Sequence, residues 1–236
     1  MNTALKVISL LLSYPSEEIR AAIPDLKAAL DGAAIGVSEV ASLRHLADDI
    51  ASLDPYEAQE RYVFLFDRTR ALSLHLFEHV HGESRDRGQA MVDLMAMYEA
   101  DGFEIDAKEL PDYLPMFLEY LSMKPTVEAG ELLGQTVHIL SALRQRLRER
   151  ESLYANAFAA LETIAQGEPD ADLLRELTEA PEDNPNDLEA IDRIWEDEAV
   201  TFGSSAGEDA CGPDRFQRQI RAANRKPTDR AQAPNA

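Results

Sequence analysis

The stretch from Asp54 to Val80 constrains this chain more than any other. It opens with a helix-start signal: Asp54 can cap, Pro55 suits the first helical position, and Glu57 stands three residues after the cap. Tyr62, Leu65, Phe66, Leu72, Leu76 and Val80 follow at three- and four-residue steps, so the spacing predicts one helix to about Val80. Val63, Phe64, Leu74 and Phe77 fall on its other faces. A helix apolar on most sides belongs at the centre of a bundle. Yet this one also carries Asp67, Arg68, Arg70, His75, Glu78 and His79. These groups must find partners inside the bundle or line a groove.

The rest of the chain supplies helices to surround it. Residues 4–13 read as a short apolar helix stopped by Tyr14-Pro15, and Ser16 caps a second helix to about Leu30. Ser38 is expected to cap a third helix, ending near Leu53. Gly82 is placed to end the central helix, and Ser84 to cap the next, with Met91, Leu94, Met95 and Tyr98 as its stripe before Asp101-Gly102. Pro111 and Pro115 bracket the entry to a short helix, Met116 to Met123. Thr126 begins a long helix to about Ala165, with a break near Glu151-Ser152. Its leucines face the core, and Arg144, Arg146, Arg148 and Arg150 face solvent. No segment alternates with period two between turn signals, so no sheet is expected. The expected fold is all-α, a single-domain bundle of about seven or eight helices over residues 1–166.

Composition shifts at Gly167. Residues 168–200 hold 13 acids and two arginines, so residues 167–202 read as an acidic segment with one amphipathic helix around Leu188, Ile191 and Trp195. Residues 203–236, rich in Gly, Ser, Ala, Pro and Arg, are expected to form a disordered tail. Overall the chain carries 23 basic and 44 acidic residues, a net charge of −21. Such a balance disfavours nucleic acid and anionic membranes, whose recognition needs Lys and Arg, and favours a basic partner. The single cysteine, Cys211, permits no internal disulfide and fits a reducing compartment. The opening MNTALKVISLLLSYPSEE lacks a basic leader and is followed by acids, so it does not read as a signal peptide, and no run approaches a membrane span. A soluble, cytoplasmic protein is expected.

Two constellations carry potential chemistry. His75, Glu78 and His79 match an H-x-x-E-H zinc pattern, which on a helix would put two imidazoles one turn apart with a carboxylate to activate water. The pattern has few fixed positions, and nothing marks a distant third ligand; imidazoles near a helix end also interact favourably with its carbonyls. The loop Glu109-Leu-Pro111-Asp112-Tyr113-Leu-Pro115 places two carboxylates and a phenol beside Met116-Phe117-Leu118. A stiff acidic and aromatic rim suits capture of a basic amphipathic helix, whereas the plainer reading is a helix start with solvated acids.

Several of these motifs resemble the assembly chaperones, or delta subunits, of respiratory nitrate reductase, part of a wider family of chaperones for molybdenum redox enzymes. The resemblance runs through Asp54-Pro55, Leu65-Phe66-Asp67-Arg68, the long block Phe77 to Asp93, Glu109-Leu-Pro-Asp112, Leu118-Glu-Tyr-Leu121, Trp195-Glu-Asp-Glu and Val200-Thr-Phe202. It implies an all-helical chaperone that does no chemistry and keeps no cofactor of its own. Its implied partner is the N-terminal segment of the apo catalytic (alpha) subunit, held in the cytoplasm while molybdenum cofactor and an iron–sulfur cluster are inserted, with cofactor-delivery proteins as further partners. The peptide-binding residues expected on this reading are Tyr62, Phe66, His79, Glu109, Asp112, Tyr113, Phe117 and Tyr120. Arg85 and Arg87 are expected to tie the Gly82 turn to acids such as Glu83 or Asp86, and the helix around Trp195 to cover the groove or dock elsewhere. The wider family's acidic Pro-Asp-His motif has Tyr113 in place of histidine, which removes titration near neutral pH at that position. The alternatives are a zinc hydrolase using His75, Glu78 and His79, and a chaperone of a related molybdoenzyme.

Overall fold

A computed structural model describes residues 2–81, 85–105 and 109–180, with only the backbone of His81 and Arg85. The expected Gly82 stop, the Ser84 cap, the helix around Trp195 and the tail lie outside the described residues. Among the described residues the fold is all-α, with eleven α-helices and no strand. They are α1 (Thr3–Leu11), α2 (Glu17–Ala29), α3 (Val37–Ser52), α4 (Pro55–Phe66), α5 (Glu78–His81), α6 (Arg85–Ala100), α7 (Leu114–Met123), α8 (Thr126–Gly134), α9 (Val137–Glu149), α10 (Ala155–Ile164) and α11 (Ala171–Glu179). Ser16 caps α2 as expected, through a hydrogen bond from the Ile19 N–H. The third helix starts two residues earlier than read: Gly36 is its cap, and the Ser38 hydroxyl turns instead to the Glu39 carboxylate.

The centre of the bundle is the pair α1 and α7. Each is apolar around most of its circumference, which is stable only when surrounded. Leu5, Ile8 and Leu11 of α1 and Leu114, Phe117, Leu118 and Leu121 of α7 are at most 1% exposed. The pair is also pinned through polar groups: Ser9 Oγ donates to the Pro115 carbonyl at 2.6 Å, and the Asn2 N–H to the Ser122 carbonyl at 2.6 Å. Around this pair, α10 packs on α9 and α3, and α11 packs on α9.

The helix count exceeds seven or eight because both long predicted helices are divided. The second, read as Thr126 to Ala165, breaks near Glu151 as expected, where Glu151 takes a left-handed φ of 53°. It also breaks at Gln135-Thr136, which was not foreseen. There both the Thr136 N–H and its hydroxyl bond back to the Leu133 carbonyl, which takes up the acceptor that a continuing helix would have used. Gly134 ends α8 against the segment after α10: a Cβ at this position would fall on the Gln166 carbonyl oxygen.

The larger correction concerns Asp54 to Val80. The capping box at Asp54 and Glu57 forms as predicted, but the helix stops at Phe66. Thr69 is extended, Arg70–Leu72 makes one 3-10 turn, and His75 forms an antiparallel bridge with Tyr113. Helix returns only at Glu78. Asp67, Thr69 and Ser73 are residues whose short polar side chains compete with helical hydrogen bonds. Here the Ser73 hydroxyl accepts the His75 N–H at 3.2 Å. A further correction is Arg146. Instead of facing solvent it is 6% exposed, and its guanidinium donates to the Ala71 carbonyl at 2.7 Å and to the Leu177 carbonyl at 2.5 Å.

Candidate functional site

The irregular segment Arg70–Phe77 lies inside the protein: Ala71, Leu72, Ser73, Leu74, Leu76 and Phe77 are buried. Backbone buried outside a helix or sheet must find its hydrogen bonds elsewhere. Several of them come from the loop Pro111–Leu114. The Leu76 N–H donates to the Asp112 carbonyl at 3.0 Å and the Leu114 N–H to the Leu74 carbonyl at 2.8 Å. The Asp112 side chain adds two more contacts. Its Oδ2 accepts the Phe77 N–H at 3.0 Å, and its Oδ1 accepts the His75 Nδ1–H at 3.2 Å. Asp112 is wholly buried, so this carboxylate acts as the internal tie between the two segments. The loop itself is fixed from behind by Tyr98, whose hydroxyl donates to the Pro111 carbonyl at 2.9 Å.

His75 and His79 have different surroundings. Burial opposes charge on His75, but the bonded Asp112 carboxylate, helped by Glu78 and Glu109, raises its pKa above the ordinary 6.5. His79 donates from Nε2 to the Ser73 carbonyl at 2.8 Å; burial, with Arg146 nearby, lowers its pKa. The signs follow from linkage. His75 contributes stability below pH 6.5 that is lost as pH rises through its folded pKa, whereas His79 costs stability as pH falls below 6.5. Imidazole proton–nitrogen NMR is therefore expected to show His75 titrating above 6.5 and His79 below it. A His75→Gln variant should lose more stability at pH 6 than at pH 8.

These placements remove the premise of the zinc reading. His75 is not helical, so the two imidazoles do not sit on successive turns of one helix. One ring serves Asp112 and the other serves Ser73. Among the described residues no three His, Cys, Asp or Glu side chains converge as metal ligands would.

Of the predicted peptide-binding residues, Tyr62, Phe66, Tyr113 and Tyr120 fall into two aromatic groups. In the first, Tyr62 lies 5.0 Å from Phe66, and Phe66 meets Tyr154 edge-on at 5.1 Å. The Tyr62 hydroxyl donates its one proton to the Leu12 carbonyl at 2.9 Å, so the Tyr113 hydroxyl, also at 2.9 Å, must be the donor between the two phenols. In the second group, Tyr120 packs against Tyr98 at 4.7 Å and Phe103 at 5.7 Å. Its hydroxyl donates to Asp101, which also pairs with Lys124 at 2.6 Å. Tyr98 joins the groups, since it touches Tyr120 through its ring and Pro111 through its hydroxyl. Tyr62, Phe66, Asp112, Phe117 and Tyr120 are each at most 3% exposed, so they support the site from beneath.

What reaches the surface is a smaller patch centred on Tyr113. Tyr113 is half-buried, its ring 5.5 Å from the His75 ring. Glu109 and Asp67 are exposed beside it, and Tyr14, 44% exposed, stands edge-on to Tyr62 at 5.6 Å. Burial, with the Glu109 and Asp67 carboxylates, pushes the Tyr113 phenol up to about 12. Burial and Glu109 also raise the pKa of Asp67, against the influence of His75. Two acids thus share a small area with aromatic edges, an arrangement that attracts a cationic, partly apolar segment. Sequence reasoning missed Tyr14, read only as a helix stop, and Tyr154, whose place beside Phe66 depends on tertiary packing. Arg87 pairs with Glu78 at 3.0 Å, while the Gly82 turn, Glu83 and the Arg85 side chain of the expected tie lie outside the described residues.

Comparison with known proteins places this geometry in a family. The sequence model of the family described as nitrate reductase delta subunit matches residues 15–160. The nitrate reductase molybdenum cofactor assembly chaperone NarJ of Escherichia coli K12 is 43% identical over 211 residues, 88% of this chain and 87% of that protein. A protein of Bacillus subtilis 168 described as a probable NarJ is 36% identical over 174 residues, 70% of this chain and 94% of its own length. The fold matches the crystal structure of an Archaeoglobus fulgidus protein assigned to redox enzyme maturation, with a TM-score of 0.51 and 21% identity, covering 69% of this chain and 92% of that one. The family match over most of the helical body and the 43% identity across most of both chains lead to one conclusion: the chain belongs to the nitrate reductase delta subunit family.

Proposed function

We propose that this chain is an assembly chaperone of respiratory nitrate reductase. It binds the N-terminal segment of the apo catalytic subunit in the cytoplasm and keeps the subunit open for molybdenum cofactor and iron–sulfur insertion before membrane docking. The observation that carries the reading is the 43% identity to a NarJ assembly chaperone across nearly the full length of both chains. The surface around Tyr113 supports the finer part. Asp67 and Glu109 offer charge to a basic segment, while Tyr14 and Tyr113 offer aromatic edges for its apolar side chains. The role needs no turnover: binding alone delays docking and preserves access for the cofactor. No helix among the described residues is long and apolar enough to cross a membrane, which accords with a chaperone that acts before its client reaches one.

In cells lacking this chain, the catalytic subunit is expected to accumulate without molybdenum, and supplying the chain should restore the metal. The check is elemental analysis of the purified subunit. Full molybdenum content in the absence of the chain would refute the proposal.

A further inference from the structure

Helix α11 lies on the outside of the bundle: none of its residues is buried. It is joined to α10 through Gln166-Gly167-Glu168-Pro169, with Gly167 at a φ of 113°, which only glycine adopts without strain. A helix of nine residues does not hold its shape alone in water, so α11 persists because it is docked. The docking has two parts. Leu177 packs against the core, and Leu174 lines a surface hollow with Ser141, Gln145 and Arg148 of α9. The other part is Arg146. One arm of its guanidinium holds the Leu177 carbonyl of α11 at 2.5 Å, and the other holds the Ala71 carbonyl at 2.7 Å.

Ala71 belongs to the 3-10 turn that feeds His75 and Phe77 into their contacts with Asp112. One buried cation therefore spans an outer helix and the irregular segment beneath the Tyr113 patch. We propose that α11 is a detachable strap whose docking on α9 is coupled, through Arg146, to the order of the Arg70–Phe77 segment. When α11 leaves, Arg146 loses the Leu177 carbonyl and gains access to water. Its bond to Ala71 then competes with solvent, and the segment loosens. Coupling of this kind is reciprocal, so loosening the segment also favours release of α11. The inference concerns contacts within this chain and does not depend on what its client is.

The test is amide hydrogen exchange on the full-length chain carrying Leu174→Asp and Leu177→Asp, which spoil the apolar docking face without removing a backbone carbonyl. The expected result is exchange at least about tenfold faster across residues 70–77, with α1 and α7 unchanged. In an Arg146→Lys background the same two substitutions should add much less at residues 70–77, because the tie is already weakened. The coupling is overturned if α11 exchanges freely while residues 70–77 keep their wild-type rates. It is equally overturned if the double substitution acts on residues 70–77 to the same extent in both backgrounds.

Discussion

Replacing Asp112 by alanine is expected to lower the unfolding free energy by about 3 kcal/mol or more. The carboxylate is wholly buried and accepts from the Phe77 amide and from the His75 ring. A hydrogen bond to a charged acceptor contributes roughly 1.5–3 kcal/mol, and its loss leaves a buried N–H without a partner. The damage should spread beyond these two bonds. The bridge between His75 and Tyr113, and with it the Leu76 and Leu114 amide pairings, depends on the two segments staying aligned. Urea unfolding checks the magnitude. Asp112→Asn separates charge from shape: it keeps one oxygen acceptor, so it should retain part of the lost stability. An alanine variant as stable as the wild type would mean that the carboxylate is not the tie described.

Arg146→Leu should have the second largest effect, again about 3 kcal/mol. Leucine restores much of the apolar volume, so a cavity contributes little to the loss. What disappears includes the charge-assisted bonds to the Ala71 and Leu177 carbonyls. Two carbonyls in a largely apolar setting are left to find water. Unfolding in urea reads the total, and limited proteolysis after α11 distinguishes the local from the global part. An unchanged urea midpoint would show that the buried guanidinium adds no net stability.

The legible part of this protein was whatever depended on local signals. The capping box at Asp54, the serine cap at Ser16, the stop at Tyr14-Pro15 and the break at Asp101-Gly102 all appear where residue chemistry put them. Apolar spacing also gave the all-α class. It failed between Asp67 and Phe77 because periodicity reports burial, and this segment is as buried as a helix would be. The hydrogen bonds that replace the helix come from Asp112 and Arg146, tens of residues away, and no local pattern announces them. Arg146 misled for the same reason. Its burial comes from α11 and from the Ala71 turn, neither of which the spacing within α9 announces.

The site was legible in part. Glu109, Asp112 and Tyr113 stand in one stiff loop, and that loop does organise the region. Tyr62, Phe66 and Phe117 are packed beneath the surface rather than open to it, since aromatic residues near a groove and aromatic residues under it look alike in sequence. Tyr113 illustrates what geometry adds. Its phenol remains neutral at physiological pH, and the titratable imidazole beside the motif comes instead from His75 across the bridge.

The most direct test of the chaperone account is calorimetric titration of the full-length chain with a peptide of the catalytic subunit's N-terminal segment. The account predicts saturable binding to the wild type. It further predicts that Asp67→Lys with Glu109→Lys weakens binding at least about tenfold, or about 1.4 kcal/mol, with the urea midpoint unchanged. No binding by the wild type, or equal binding by the doubly substituted chain, would contradict it.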